Sequence, residues 1–358
     1  MASTGGREAG TGEGAGPAAR DGVGIGGATR GLVHEEPLLF ERGSAGRTGV
    51  SLPAPRGGVD PADEIPAALL RRGIDGMPEI SELEAVRHFT RLSVWNHGID
   101  TGFYPLGSCT MKYNPRSSEA LARLPGFANV HPLAPPEMAQ GALELMWRLE
   151  RALSEIAGFD ETALSPAAGA HGELCGIMVV RAFHESTGNA RRKVLIPDTA
   201  HGTNPASSAL NGYEVVQLAS GEDGRLHPAT VKAAMDEDAA AIMITNPNTL
   251  GIFESDIREI ADAVHAKGGL VYGDGANMNA LLGMARPGDM GFDVMQFNLH
   301  KTFATPHGGG GPGSGPVAVK ARLAPFLPLP AVVKEGERYR LVTDAKERPQ
   351  SVGRLREF

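Results

Sequence analysis

The C-terminal two thirds of the chain alternate between short apolar runs and amphipathic segments. The apolar runs predict strands, and the segments whose apolar residues recur three or four positions apart predict helices. Predicted strands cover 162–164, 194–196, 214–218, 240–245, 270–272 and 294–297, and predicted helices cover 136–157, 173–184, 230–235 and 256–266. Strands that are apolar throughout are typical of a mostly parallel sheet covered on both faces, so the pattern predicts an α/β fold.

The N-terminal part follows a different pattern. Residues 1–31 are mainly Gly, Ala, Thr and Ser with scattered charges, and we expect a disordered tail because they have little to bury. Apolar residues at 37–40 and 52–55 favour an extended arm, which either contacts another subunit or covers its own domain. Ser81, with an acid in the turn that follows, predicts a capped helix start.

Composition narrows the classes of function. The chain has 358 residues and a net charge of −8, which argues against a nucleic-acid groove as its main surface. Two cysteines are too few for a disulfide framework, and there is neither a long apolar run nor a signal peptide. We therefore expect a cytoplasmic protein with one large or two smaller α/β domains, without a membrane segment and without a metal site.

Several residues that could bind a ligand or take part in catalysis follow predicted strands. In a parallel sheet, ligands bind at these carboxyl ends of the strands. Ala168, Gly169 and Ala170 open a helix, so their N–H groups and the helix dipole can face an anion such as phosphate. Small residues at such turns are also common packing devices. His201 follows the next strand, where an imidazole can stack on a flat ring, although an isolated histidine is more often structural or exposed.

Lys301 comes directly after the strand 294–297 and before a run of glycines, Gly308–Gly311. An amine buried beside apolar walls and other cations has a lowered pKa and is available as a Schiff-base nucleophile. Asp274, at the end of the preceding strand, can hydrogen-bond a protonated pyridine nitrogen while Lys301 reaches the aldehyde of the same ring. The alternatives are a surface lysine and a capping aspartate.

An anion turn, a histidine, an aspartate and a lysine in this order are the layout of pyridoxal-phosphate enzymes of the aspartate aminotransferase fold, fold type I. Five motifs, at 103–115, 201–207, 245–251, 274–277 and 298–303, closely resemble the glycine decarboxylase (P-protein) family of the glycine cleavage system. The arm at 36–41 and 52–53 resembles the start of subunit 2 of the two-chain bacterial form.

The resemblance implies a role for each candidate residue. Lys301 would hold pyridoxal 5'-phosphate, Asp274 would keep the ring nitrogen protonated, and His201 would stack on the ring. The turn Ala168, Gly169 and Ala170, with His300, would hold the phosphate. Further expected cofactor contacts are Thr245 and Asn277, and the expected substrate-side residues are Tyr104, Ser108 and Thr110.

The resemblance also implies an activity, an oxidoreductase called glycine dehydrogenase (aminomethyl-transferring). Glycine would lose carbon dioxide, and its aminomethyl group would pass to the lipoyl arm of the H-protein. The implied assembly is a heterotetramer with two copies each of this chain and of glycine decarboxylase subunit 1. The alternatives are another fold type I enzyme, such as an aminotransferase or a carbon–sulfur lyase, and an inactive truncated subunit.

The resemblance divides the chain into an arm and loop segment, 32–130, a cofactor-binding large domain, 131–325, and the start of a C-terminal domain, 326–358. Family members continue beyond the position of Phe358, so the small C-terminal domain is expected to be largely absent. His171 stands where the family more often has an amide, and it either keeps the contact or alters the pH response of the loop. Cys109 is either redox-sensitive or an inert packed thiol, the simpler reading.

Overall fold

The computed structural model describes residues 36–53, 57–58, 60–71, 73–74, 76–96, 98–102, 112–306 and 313–355. The tail 1–31, the candidate residues Tyr104, Ser108, Cys109 and Thr110, and the glycine run 308–311 lie outside them. The chain divides into two compact units between Gly98 and Ile99. The domain limits expected from the resemblance remain predictions.

The N-terminal unit contains a 3-10 turn, Leu39–Glu41, and helices α1 (Pro61–Glu64) and α2 (Glu82–Trp95). The helix start predicted at Ser81 is confirmed. The Ser81 hydroxyl accepts a hydrogen bond from the Glu84 backbone N–H, 3.3 Å away, and the Glu84 carboxylate accepts one from the Ser81 N–H, 3.0 Å away. This reciprocal pair satisfies two donors that a helix start otherwise leaves without partners.

The arm that contains Glu36 is attached to α2 through a buried carboxylate. Glu36 accepts hydrogen bonds from Arg91 Nη2, 2.9 Å away, and from His88 Nδ1, 2.8 Å away, and Arg42 lies 3.3 Å from it. The Arg91 hydrogen bond outweighs desolvation and, together with His88, lowers the pKa of Glu36 to about 2. A charge-assisted cluster therefore holds this part of the arm on its own unit.

The C-terminal unit contains all of the strands within the described residues. Its helices are α3 (Arg116–Ala122), α4 (Pro125–Ala128), α5 (Gln140–Ala157), α6 (Gly169–Ser186), α7 (Thr203–Leu210), α8 (Pro228–Ala234), α9 (Ile257–Ala266), α10 (Met278–Leu281) and α11 (Leu299–Thr302). Its strands are β1 (Glu161–Ala163), β2 (Lys193–Pro197), β3 (Glu214–Leu218), β4 (Ala239–Thr245), β5 (Leu270–Gly275), β6 (Val294–Phe297), β7 (Val317–Val319), β8 (Ala331–Glu335) and β9 (Arg338–Val342). Short 3-10 turns cover Pro136–Met138, Pro287–Met290 and Ala321–Phe326.

Seven strands form one sheet in the order β1-β7-β6-β5-β4-β2-β3. The pairs from β3 to β6 are parallel, whereas β7 runs antiparallel to β6 and to β1. The predicted mostly parallel α/β sheet is therefore confirmed. Strands β8 and β9 form a separate hairpin.

Hydrophobic clusters cover both faces of the sheet, and β4 shows why. Its Ile242 and Ile244 join the cluster formed with α5, α8 and α9, while Ala241 and Met243 join the cluster formed with α6 and the turn Ala321–Phe326. All seven residues of β4 are buried. Burying a large aliphatic side chain contributes about 2 kcal/mol, so a strand with two apolar faces is strongly fixed at the centre.

The β8–β9 hairpin packs on α5. Leu143 of α5 forms a small cluster with Val332 and Tyr339 of the hairpin, and Trp147 packs against it. Gln140 donates to the Tyr339 carbonyl at 2.8 Å and accepts from the Tyr339 N–H at 2.9 Å. Segments about 200 residues apart in the sequence are thus joined inside the C-terminal unit. No helix in the described part of the chain is both long and apolar enough for a membrane span.

Nine elements were not predicted from the pattern, namely α1, α3, α4, α7, α10, α11, β7, β8 and β9. Pro205 and the small residues of α7 look like a loop, but Pro205 lies in the first turn, where a missing N–H costs little. The predicted helix 136–157 begins only at Gln140, after the 3-10 turn Pro136–Met138. Strand β7 has only three residues, which is too short for a periodicity to register.

We predict that Gly275→Ala is strongly destabilising, because a Cβ at this position would lie 1.9 Å from the Gln296 carbonyl oxygen. Relief requires β5 and β6 to separate, and overpacking of this kind costs up to about 3 kcal/mol. Urea unfolding followed by circular dichroism measures the loss. The control is Gly141→Ala on an exposed helix position with nothing within 4 Å, which should be neutral or slightly stabilising. Equal unfolding midpoints for the two variants would contradict this account.

Candidate active site

Three neighbouring parallel strands bring polar side chains to one edge of the sheet. Thr245 at the end of β4 pairs with Asp274 of β5, and Asp274 pairs with Gln296 of β6. All three are buried. Because a buried polar group costs free energy unless it is hydrogen-bonded, the partners of these side chains determine what the edge can bind.

The Asp274 carboxylate is surrounded by donors. Its Oδ1 accepts from the Ala276 N–H at 2.9 Å and from Gln296 Nε2 at 2.6 Å, and its Oδ2 accepts from Asn204 Nδ2 at 3.2 Å. The Tyr272 hydroxyl donates to Gln296 Oε1 at 2.6 Å, which directs the Gln296 amide nitrogen toward Asp274. The carboxylate is thus fixed in orientation at the strand end.

A second buried carboxyl lies beside the first. Glu173 of α6 is 4% exposed, and Asn204 Nδ2 donates to its Oε1 as well as to Asp274. Burial, reinforced by the neighbouring Asp274 charge, raises the pKa of Glu173 to about 8. At neutral pH this carboxyl is therefore protonated.

Lys301 lies in α11, directly after β6. Its backbone N–H donates to the Asn298 carbonyl at 2.8 Å, and its side chain is half-buried. Burial is the main cause of the raised pKa of Glu173, and the positive charge of Lys301 acts in the opposite direction by favouring the ionised carboxyl. The lysine is therefore close enough to interact with Glu173, at the same edge as the two carboxyl groups. Lys112 Nζ donates to the carbonyl of His300, the residue before Lys301, at 2.8 Å.

His201 follows β2 and is exposed. The Thr203 backbone N–H, which can only donate, lies 3.2 Å from His201 Nδ1, and the Thr203 hydroxyl lies 2.7 Å from the same atom. Nδ1 is therefore an acceptor, and the neutral ring carries its proton on Nε2. Stacking of this imidazole on a cofactor ring stays a prediction.

The predicted anion turn lies against the segment that carries Lys301. Helix α6 begins at Gly169 with Ala168 as its N-cap. A Cβ on Gly169 would lie 2.5 Å from Asn298 Nδ2, and one on Gly315 would lie 1.9 Å from the Ala168 carbonyl oxygen. The first N–H groups of a helix have no partner within the helix. Because the glycines allow this close approach, these backbone donors lie beside Asn298, and such an arrangement suits an anion.

Two histidines support this turn through their ring nitrogens. His171 Nδ1 accepts from the Ala167 N–H at 3.1 Å, and His300 Nδ1 accepts from the Ser314 N–H at 3.3 Å. Burial lowers the pKa of His171 and favours the neutral ring that can accept. The imidazole at position 171 thus holds the turn as a neutral acceptor.

Buried polar atoms without partners also lie at this edge. Within the described ranges, Thr245 Oγ1, Asn298 Oδ1, Thr302 Oγ1 and Asn204 Oδ1 have no hydrogen-bond partner. Each such group costs about 1–3 kcal/mol, so their concentration here fits a polar ligand such as a phosphorylated aromatic cofactor. Asn277 instead donates to the Pro247 carbonyl at 2.8 Å, and its cofactor contact stays a prediction.

Sequence reasoning missed Glu173, Asn204, Gln296, Asn298 and Thr302. The available signal was a single polar residue inside an apolar run, as with Gln296 in β6 and Glu173 in α6. That signal indicates a satisfied polar contact but does not identify its partner. In the part of the chain that the structure describes, no group of three His, Cys, Asp or Glu side chains has a metal-binding arrangement.

The parallel sheet, the turn at the start of α6 and the lysine after β6 define the large domain of a pyridoxal-phosphate fold type I protein. Residues 61–342 match the family model of the glycine cleavage system P-protein. The chain therefore belongs to the P-protein family.

Similar proteins agree with this assignment. The probable glycine dehydrogenase (decarboxylating) subunit 2 of Exiguobacterium sibiricum is 57% identical over 328 residues, which cover 91% of this chain and 66% of that protein. The protein of the same name from Halalkalibacterium halodurans is 55% identical over 329 residues, covering 91% and 67%. The chain thus spans about two thirds of the length of these relatives.

Two solved structures show the same fold. A crystal structure of glycine decarboxylase (P-protein) of the glycine cleavage system, in inhibitor-bound form, has a TM-score of 0.65 and 25% identity, covering 81% of this chain and 66% of that chain. A sphingosine-1-phosphate lyase from Burkholderia pseudomallei has a TM-score of 0.54 and 16% identity, covering 74% and 64%. At that identity the lyase supports the fold alone.

We predict that His171 makes stability fall on acidification. Its pKa is lowered in the fold, so the unfolded chain takes up a proton first, and stability is lost as the pH falls below the ordinary value of about 6.5. His171→Gln offers an acceptor to Ala167 and does not titrate. Its thermal unfolding midpoint should therefore decrease less than that of the native chain between about pH 7.5 and pH 5.5.

The control for this comparison is His131→Gln, because His131 is exposed. This variant should keep the native pH dependence of the midpoint. If the unfolding midpoints of the native chain and His171→Gln change equally with pH, the His171 ring is not the cause of the loss of stability at low pH.

Proposed function

We propose that this chain is the cofactor-binding subunit of a glycine decarboxylase, which removes carbon dioxide from glycine and passes the aminomethyl group to a lipoyl carrier. The observation that carries the proposal is the hydrogen-bonded Asp274 carboxylate at the same sheet edge as Lys301. Membership in the P-protein family and the names of the relatives support the choice of glycine as substrate.

The residues at this edge fit pyridoxal 5'-phosphate. The backbone donors at Gly169 and Ala170, with His300 next to them, suit its phosphate group. When bound, the cofactor supplies a conjugated ring that takes up the electron pair released as carbon dioxide leaves. The unpartnered Thr245 hydroxyl offers a further hydrogen bond at the end of β4.

Three side chains would act on the bound ring. Lys301 would contribute the amine that holds the cofactor through its aldehyde carbon. Asp274, fixed by its donors, keeps a proton on the ring nitrogen so that the ring can accept charge. His201, with Nδ1 held by Thr203, would present the flat face of its imidazole to one side of the ring.

Other contacts complete the proposal. Asn277 would contact the cofactor, and Tyr104, Ser108 and Thr110 are assigned to binding of glycine or of the lipoyl arm. The partners are glycine decarboxylase subunit 1 and lipoylated H-protein, in a cytoplasmic heterotetramer with two copies of each subunit. The name "subunit 2" of the relatives favours a two-chain assembly.

Cofactor attachment is tested by replacing the lysine. The native chain, supplied with pyridoxal phosphate and desalted, should show a visible absorption band of bound cofactor, and Lys301→Ala should lose it because no other amine occupies this position. The control is Lys267→Ala, which removes an exposed lysine and should keep the band. An unchanged band in Lys301→Ala would rule out the assigned lysine.

Glycine decarboxylation is tested by exchange of labelled bicarbonate into the glycine carboxyl group. The chain combined with subunit 1 and lipoylated H-protein should catalyse exchange, and the Lys301→Ala assembly should fall to background. An aminotransferase should show no such exchange. A native assembly that binds the cofactor yet exchanges no label would therefore contradict the proposed decarboxylation and leave the two alternatives, another fold type I activity and an inactive subunit.

A further inference from the structure

Two buried carboxyl groups share one amide donor at the proposed cofactor site. Asn204 Nδ2 donates to Asp274 Oδ2, 3.2 Å away, and also to Glu173 Oε1. The two acidic residues are only 5% and 4% exposed. Because two negative charges so close together and shielded from water repel strongly, one member of the pair keeps a proton.

The hydrogen-bond donors decide which carboxyl keeps that proton. Asp274 accepts from the Ala276 N–H and from Gln296 Nε2 in addition to Asn204, whereas among the described residues Glu173 accepts from Asn204 alone. Hydrogen bonds to a carboxylate favour its ionised form. The proton therefore resides on Glu173, consistent with the raised pKa of about 8 at this residue.

We propose that Glu173 is a positioning residue whose protonated carboxyl donates a hydrogen bond to Asp274 and limits the pair to one negative charge toward the cofactor ring. The inference rests on the proposed function for the identity of that ring. The groups that face Glu173 are Asp274 and Tyr272 of β5, Asn204 of α7 and Lys301 of α11.

The proposed hydrogen bond sets the charge of the Glu173–Asp274 pair relative to that of the cofactor ring. One negative charge on the pair matches the single positive charge of a protonated ring nitrogen, whereas a second buried negative charge would repel the first at short range. Above about pH 8 Glu173 loses its proton, and the doubly charged pair attracts the ring cation more strongly. Cofactor affinity should therefore have a pH dependence that belongs to Glu173.

The first test is Glu173→Gln. The amide oxygen accepts from Asn204 and the amide nitrogen donates to Asp274, but this side chain does not ionise. Cofactor dissociation constants of the native chain and the variant should agree near neutral pH. They should diverge above about pH 8, where the native chain binds several-fold more tightly. Parallel curves across this range would overturn the proposal.

Glu173→Leu shows whether the donor itself matters. This side chain keeps the bulk but leaves Asp274 without the proposed hydrogen bond, so the dissociation constant should increase about ten-fold or more at neutral pH. The amide of Glu173→Gln should restore native affinity at that pH. Equal loss in both variants would show that Glu173 acts only through packing, contrary to the proposal.

The matched control is Glu150→Gln in α5. Burial raises the pKa of Glu150 to about 8 as well, but its charged neighbours are Arg151, Glu161 and Arg348. Its replacement should therefore leave the pH dependence of cofactor binding unchanged. A change as large as that of Glu173→Gln would show that the effect is general and would overturn the proposal.

An infrared measurement without cofactor separates this proposal from the proposed function. The native minus Glu173→Gln difference spectrum at neutral pH should contain the carbonyl stretch of a protonated carboxylic acid, and it should lose it above about pH 8. If that stretch is present but the native chain binds no cofactor, the proposed function is wrong. If cofactor binds in a Lys301-dependent way but the stretch is absent, only the role of Glu173 is wrong.

Discussion

The hydrogen bonding of the buried Asp274 carboxylate is the constraint on which the site depends. A carboxylate that is 5% exposed needs compensation for its lost hydration, and its donors come from β6, from α7 and from the backbone two residues ahead. Only in-register pairing of β5 with β6 brings Gln296 to it. The strand register therefore determines which side chains meet at this edge of the sheet. The burial of both faces of β4 in turn stabilises the sheet.

The sequence predicted the central strands because their apolar runs are long and bounded by polar strand ends. It also indicated Asp274 and Lys301 as candidate site residues, whose roles stay predictions, since a parallel sheet brings residues at the ends of consecutive strands to one edge. It did not predict the links between them. Glu173, Asn204 and Gln296 come from three different elements, and the pairing of one polar side chain with another is a property of packing that no local pattern contains.

Short elements were missed for a related reason. Strand β7 and the hairpin β8–β9 are held by long-range contacts with β1, β6 and α5, so their local periodicity carries little information. Helix α7 contains a proline and the weak helix formers Thr203 and Asn204, and its packing on the sheet, where the Ser208 hydroxyl lies 3.3 Å from Met243 Sδ of β4, overrides their propensity. Where burial and long-range pairing determine the structure, the hydrophobic pattern shows which residues are buried but not which residues they contact.

The hydrogen bond from Lys112 to the His300 carbonyl joins residues 188 positions apart. The Gly315 contact with Ala168 similarly requires a segment that follows β6. During synthesis from the N-terminus, the first strands and helices leave the ribosome well before their partners near residues 300–315. The candidate site is therefore assembled late in folding, and until then the apolar strands beside it remain exposed to aggregation and to chaperones.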